Sequence, residues 1–239
     1  MRICILSGLF FCLALLFPAF SHSDDKKINP LDERHFKKVK EKAGITVLCR
    51  YIPEDHALEF KSWVISDCAF ETGVEVMKDP EAYHEWYGMT EKLYVIKTIS
   101  ENKYLMHFIV DLPYLPDCDI VVEVSIKWDY QNGIGIAEIK SVDSSYRPDK
   151  DLHRMKKMNG SFTITREGPN LTKCVYRMYI SLGGFFDALP DWALRLIGKR
   201  QPFDTNFNLT RQVKKPLYVE RAKKIKDLNY SSDRLNLKY

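Results

Sequence analysis

Glycine and proline are scarce in this 239-residue chain, 11 of each, which excludes collagen-like and low-complexity classes. The sequence has no Gly-x-Ser-x-Gly, Gly-x-Gly-x-x-Gly or P-loop pattern, so three common catalytic and phosphate-binding signatures are missing. Cys-x-x-Cys spacing is absent, and His35, His56, His84, His107 and His153 include no pair at metal-ligand spacing; no metal and no cofactor are expected. Charge of one sign is not in excess overall: the formal net charge is +4, and no nucleic-acid partner is expected. Long hydrophobic runs are missing except for one at the start, and the mean hydropathy of −0.30 argues against a polytopic membrane protein. What is present is a globular composition, 45% hydrophobic and 28% charged, with 13% aromatics, enough to furnish a wide core or an apolar cavity.

The one long apolar run reads as an export signal. Met1-Arg2 is a short basic start, residues 3–17 are apolar, and Pro18-Ala19-Phe20-Ser21-His22-Ser23 supplies the small residues of a cleavage site after Ser21 or Ser23. As a helix, that run would span about 22 Å, short of the roughly 30 Å hydrocarbon core. Cys4 and Cys12 lack the small-residue context of a lipoprotein box. The mature chain is therefore expected to be exported, periplasmic in a bacterium and secreted otherwise. In that setting Asn159, Asn170, Asn208 and Asn229, each opening an Asn-x-Ser/Thr sequon, matter only in a eukaryotic secretory pathway.

Export leaves Cys49, Cys68, Cys118 and Cys174 in an oxidising compartment, where an even number permits disulfides and where burial as free thiols is the competing reading. Charge is uneven along the chain. Residues 199–239 hold 11 Lys/Arg against 4 Asp/Glu, whereas residues 24–198 hold 24 against 28. A basic end on a mildly acidic body suits an anionic membrane surface; the competing reading is the solvated face of helices.

Patterning predicts a helix over 32–42 stopped by Gly44, then strands over 45–51 and 57–66. Residues 69–87 read as two short helices broken at Asp79-Pro80. Strands follow over 91–99, 103–112, 118–129, 133–143, 158–167 and 171–182, with hairpin-like connections. Helices are expected over 187–200, 203–214 and 217–228, divided at Pro202 and Pro216. Alternation puts Ile120, Val122, Val124, Ile126 and Trp128 on one strand face, and Tyr104, Met106, Phe108, Val110 and Leu112 on another. His107 and Glu123 fall on the opposite face. Tyr176, Met178, Ile180 and Leu182 make a third apolar face, and Leu189, Trp192, Ala193 and Leu196 are expected to form the helical stripe that covers the sheet. The derived class is α+β: a long curved antiparallel sheet gripping one C-terminal helix.

This order of elements resembles the START-related lipid-transfer domain, the helix-grip fold shared with the polyketide-cyclase and Bet v 1-like superfamily, and looks closest to bacterial exported members. The residues that carry the resemblance are Gly44-Ile45-Thr46-Val47, the run from Asp79 to Trp86, the Leu112-Pro113-Tyr114 loop leading to Asp117-Cys118-Asp119, Met158-Asn159-Gly160-Ser161-Phe162, and Gly183, Gly184, Leu189, Pro190 and Trp192. Cys118 stands where an Arg is usual, which removes any salt bridge of that Arg and admits a disulfide with Cys68 or Cys174. On this reading the chain comprises a signal peptide at 1–23, a helical lead-in at 24–43, a START-like domain at 44–214 and a basic helical tail at 215–239.

The resemblance implies a carrier or sensor, not an enzyme, that holds one lipid or sterol-like molecule between sheet and helix. Phe108, Val110, Val122, Val124, Ile126, Phe162, Met178, Ile180, Trp192 and Leu196 are expected to line the site, with loops 111–118 and 183–190 as its gate. Plain core packing is the alternative for each of these residues. A cyclase- or hydrolase-like enzyme on the same fold is the rival, as is a non-catalytic interaction module. An enzyme would need ionisable groups inside the cavity, where the strand phases place none. The expected partners are the hydrophobic ligand and, transiently, an anionic membrane surface, with the protein a monomer.

Overall fold

Alternating apolar and polar residues build the sheet that dominates the computed structural model, which describes residues 35–112 and 115–235. The strands are β1 (Lys37–Lys42), β2 (Ile45–Ile52), β3 (Ala57–Ser66), β4 (Thr90–Ser100), β5 (Lys103–Val110), β6 (Cys118–Asp129), β7 (Ile134–Ser141), β8 (His153–Arg154), β9 (Lys157–Gly168) and β10 (Leu171–Ser181). Their spatial order is β1-β2-β3-β10-β9-β7-β6-β5-β4, all antiparallel, with the short β8 parallel to β6. Register shifts in the β1–β2, β4–β5 and β9–β10 pairs mark bulges, the device by which a strand bends and a sheet curves.

Among the described residues the α-helices are α1 (Phe70–Met77), α2 (Tyr83–Trp86), α3 (Asp191–Gln212) and α4 (Pro216–Leu235). Between β3 and the far-edge strand β4, the chain crosses through α1 and α2. Helix α3 then lies on β2 and β3 and against α2, while α4 packs on α1. This is the expected sheet-and-helix arrangement, and the concave side holds one apolar core.

Three expectations change. Over the described part of the helix predicted at 32–42 the chain forms strand β1, paired with β2 from Lys37↔Cys49 to Lys42↔Ile45, while 32–34 and most of the expected lead-in lie outside the described residues. Ala43 and Gly44, both at positive φ (52° and 73°), form the two-residue turn of this hairpin. The glycine therefore serves a primed turn, not a helix stop. Pro202 does not divide the C-terminal helix, because α3 runs through it. The third change concerns the buried face of α3. Leu194, Ile197, Gly198, Gln201, Thr205, Asn206, Leu209 and Val213 face inward, whereas Trp192 is 71% exposed and Leu196 38%. The signal-peptide reading and the Pro113-Tyr114 part of the gate fall outside the described residues. Among the described residues no helix is long and apolar enough to cross a membrane.

Candidate functional site

Strand register brings eight of the ten expected lining residues onto one continuous face. Phe108 pairs with Ile120, Val124 with Ile139, Ile126 with Ala137, Ala137 with Phe162, and Phe162 with Tyr176. Met178 lies between Phe60 and Gly160, and Ile180 between Leu58 and Met158. Phe108, Val122, Val124, Ile126, Phe162, Met178 and Ile180 are buried, and Val110, at the end of β5 opposite Cys118, is half-buried. Trp192 and Leu196 are not part of this lining. They sit one turn apart on the solvent side of α3, because the phase of the helix is set by close approach rather than by its largest apolar residues. A Cβ on Gly198 would lie 2.7 Å from the Cys49 sulfur, so α3 rests directly on β2 at that point.

Sequence patterning missed the groups that α2 and α3 add to the interior. Trp86 and Tyr87 lie over the sheet, with the Trp86 ring 5.5 Å from Phe162 and the Tyr87 ring 5.4 Å from Phe108 and 5.6 Å from Tyr176. The Tyr87 and Tyr176 hydroxyls are hydrogen-bonded to each other, and Gln201 Nε2 donates to the Tyr176 hydroxyl at 3.0 Å. Burial is the main reason both phenols are pushed above their ordinary range. Next to them, the Gly88 amide donates to Thr205 Oγ1 at 2.9 Å, and Thr205 Oγ1 donates to the Gln201 carbonyl at 2.9 Å. Farther along, Asn206 Nδ2 donates to Ser62 Oγ, which donates to the Pro202 carbonyl. No hydrophobic period marks Gln201, Thr205 and Asn206. The available sequence signal was a run of neutral polar residues at helical spacing.

Charged groups lie elsewhere. On the outer sheet face Arg50 and Arg177 bind Glu59. His107 faces outward as expected but is buried rather than solvated. Its Nε2 lies 2.9 Å from Asp119 Oδ2, and Arg154 donates to both oxygens of Asp119 at 2.8 Å. Burial alone would raise the Asp119 carboxyl; the hydrogen bonds and charges of Arg154 and His107 outweigh it and hold the group below its ordinary range. Arg154 also donates to the Ser144 and Tyr146 carbonyls, which fastens the segment after β7 over His107. Glu123 pairs with Lys103 at 2.9 Å on the same outer face.

Among the described residues the thiols of Cys49, Cys68, Cys118 and Cys174 are free and buried, so the pairing of Cys118 with Cys68 or Cys174 is not formed. Burial pushes the Cys49 and Cys118 thiols up to about 12, which leaves them unreactive at neutral pH. Among the described residues no group of three His, Cys, Asp or Glu is placed to hold a metal.

The described parts of the expected gate and the basic C-terminal segment lie apart. Asp117, His153, Leu182 and Phe186 meet at one end: the His153 amide donates to the Asp117 carbonyl, its Nε2 lies 2.9 Å from the Leu182 carbonyl, and its ring contacts Phe186. Helix α4 packs on α1 where β10 begins, at the opposite end of that strand. There Lys214, Lys223 and Lys226 border a groove of about 410 Å³ whose floor includes Cys68, Ala69, Val213 and Ala222.

Taken together, the strand order, the gripping helix and the apolar inward face are the START-like helix-grip fold. Among solved structures, the chain is similar to a STAR-related lipid transfer protein from Xanthomonas axonopodis, at TM-score 0.65 and 19% identity over 75% of this chain and 99% of that one. It is also similar to human StAR-related lipid transfer protein 5, at TM-score 0.66 and 18% identity over 77% and 88% of the two chains. A more distant likeness is to the Zhui aromatase/cyclase of a Streptomyces species, at TM-score 0.53 and 13% identity over 66% and 94%. No protein-family profile matches the sequence, and no curated protein matches it.

Proposed function

We propose that this chain is an exported carrier or sensor that binds a lipid or sterol-like ligand between the inward sheet face and α3, without catalysis. The supporting observation is the chemistry of that face. From Phe60 through Met106, Phe108, Val122, Val124, Ile126, Phe162 and Met178 it offers hydrocarbon, thioether and aromatic surface, relieved only by neutral polar groups. Such a lining suits a water-insoluble molecule held by a few orienting contacts. Five buried methionines, Met77, Met106, Met155, Met158 and Met178, make the interior deformable, since thioether chains repack at low cost.

The enzyme reading has a fold relative in the aromatase/cyclase, but acid–base catalysis needs a group that exchanges protons near neutral pH. The inward titratable groups named above are phenols and thiols whose burial holds them protonated. Delivery to a membrane is supported by exposed Trp192 and Leu196 on α3, since an aromatic and an aliphatic side chain on a helix surface suit the bilayer interface. Incubating the purified chain with mixed lipid vesicles, re-isolating it and recording native mass spectra tests the carrier reading. One lipid mass per protein is expected; an unchanged protein mass for every lipid class overturns it.

A further inference from the structure

Among the buried side-chain polar atoms without a partner are the indole Nε1 of Trp86 and, on the inward face of α3, the side-chain oxygens of Gln201 and Asn206. Buried polar groups are nearly always satisfied, so an orphan asks for a ligand or an ordered water. Trp86 projects from α2 onto Phe162 of β9, with its ring 5.9 Å from that of Tyr87, so its free N–H belongs to the same aromatic cluster as the Tyr87–Tyr176–Gln201 chain.

Counting protons in that chain shows a second spare donor. The Tyr87–Tyr176 contact consumes one phenolic proton, and the contact from Gln201 consumes an amide proton. One phenolic proton is left over. Turning the Gln201 amide over lets Tyr176 donate to its oxygen and Tyr87 donate to Tyr176, but then the amide NH₂ is left without an acceptor. In either orientation the cluster offers one spare donor in addition to the Trp86 N–H.

Among the described residues, no charged group is among those that act on the two phenols of this chain. The groups acting on the Tyr87 and Tyr176 phenols are each other, Tyr83 and Gln201. Neighbouring ions are already engaged: Glu85 binds Gln212 and Lys215, and Arg50 and Arg177 bind Glu59 on the outer face. A phosphate or ammonium carried into this cluster would lose its hydration without gaining a counter-charge, which costs several kcal/mol. A neutral oxygen, by contrast, accepts two hydrogen bonds at little desolvation cost.

We infer that the interior selects an uncharged lipid, whose hydroxyl or carbonyl oxygen is received by Trp86 Nε1–H and the spare donor of the Tyr87–Tyr176–Gln201 chain. The inference rests on the carrier reading and narrows it: phospholipids are excluded by their head group rather than by their tails.

The test presents the full chain with vesicles of phosphatidylcholine alone, of phosphatidylcholine with diacylglycerol, and of phosphatidylcholine with cholesterol or with its hydroxyl-free analogue cholestane, and reads bound lipid by native mass spectrometry. The wild-type chain is expected to take diacylglycerol or cholesterol over phosphatidylcholine, and cholesterol over cholestane by about tenfold if it is the sterol that binds, the value of a buried hydrogen bond. Trp86→Phe and Tyr87→Phe, which keep the rings and remove the polar atoms, are expected to abolish the preference for the oxygen-bearing lipid while hydrocarbon uptake persists. If phosphatidylcholine is bound as readily as the neutral lipids, this inference falls and the carrier reading stands. If both variants keep the wild-type preference, the orphan groups serve an ordered water and the assignment is wrong. If no lipid of any class is bound, the carrier reading falls with it.

Discussion

Gly88 and Gln201 meet backbone to backbone. A Cβ on Gly88 would overlap the Gln201 carbonyl oxygen and stand 2.9 Å from the Thr205 nitrogen, and the Gly88 amide is already spent on Thr205 Oγ1. This contact ties the joint between α2 and β4 to the helix that the sheet grips. Because the crowding atoms are backbone, they cannot swing aside. Gly88→Ala is therefore expected to destabilise the fold by about 1–3 kcal/mol, the usual range for overpacking. A lowered urea midpoint with an unchanged slope checks it.

The hairpin that replaces the expected N-terminal helix makes a prediction of opposite sign. Ala43 sits at φ 52°, where an alanine costs about 1 kcal/mol or more. Ala43→Asn would give the Asn-Gly pair that primed turns prefer and should stabilise the chain by about 0.5–1 kcal/mol. Were the segment a helix ending at Gly44, the same change would give no gain. Thermal denaturation of the two proteins decides.

How legible this was in the sequence depended on the element. Strands β5, β6, β9 and β10 show themselves through two-residue periodicity: Phe162 stands between Ser161 and Thr163, Met178 between Arg177 and Tyr179, and β6 interleaves Asp119, Glu123, Ser125 and Lys127 with its apolar face. Strand β1 did not. Its residues, Lys-Lys-Val-Lys-Glu-Lys, look like a solvated helix face, and only pairing with β2 makes them a strand. The covering face of α3 is hidden for a related reason: hydrophobic period singles out Trp192 and Leu196, whereas the face that packs includes Gly198, Gln201, Thr205 and Asn206, set by close approach and hydrogen bonding. The polar cluster with Trp86 and Tyr87 joins residues more than a hundred positions apart, and no local pattern encodes it.

On the outer face, Asp119 links pH to stability. Its folded carboxyl titrates below the ordinary carboxylate value near 3.9, so its contribution is present above that value and is lost as pH falls through the lowered folded one. Asp119→Asn leaves Arg154 and His107 without their anion and is expected to cost about 3 kcal/mol at neutral pH. In acid the two proteins should converge. Urea midpoints measured from neutral pH down to pH 2 check both statements; a constant gap between the curves contradicts them.

Membrane contact is expected to separate into two parts, because the lysines of α4 and the exposed Trp192 lie at different ends. Removing α4 would also remove buried Tyr218 and Ala222, so charge reversal is the cleaner probe. Lys223→Glu with Lys224→Glu should weaken binding to anionic vesicles about tenfold or more at low salt, at about 1 kcal/mol per charge near the surface, and have little effect at high salt. Trp192→Ala should weaken binding at both. Vesicle co-sedimentation over a salt series distinguishes them, and equal binding by the charge-reversed protein assigns those lysines to a solvated helix face.

The central claim, that the space between sheet and α3 receives a hydrophobic ligand, is tested most directly at Val124. This buried residue faces inward between Tyr104 and Ile139 on the neighbouring strands. On this account Val124→Trp would fill the proposed ligand space with its own side chain. Uptake of a fluorescent lipid, measured together with urea unfolding, should be abolished while unfolding stays cooperative and the midpoint stays near that of the unmodified protein. A loss of several kcal/mol in stability, the signature of an overpacked solid core, would contradict the account.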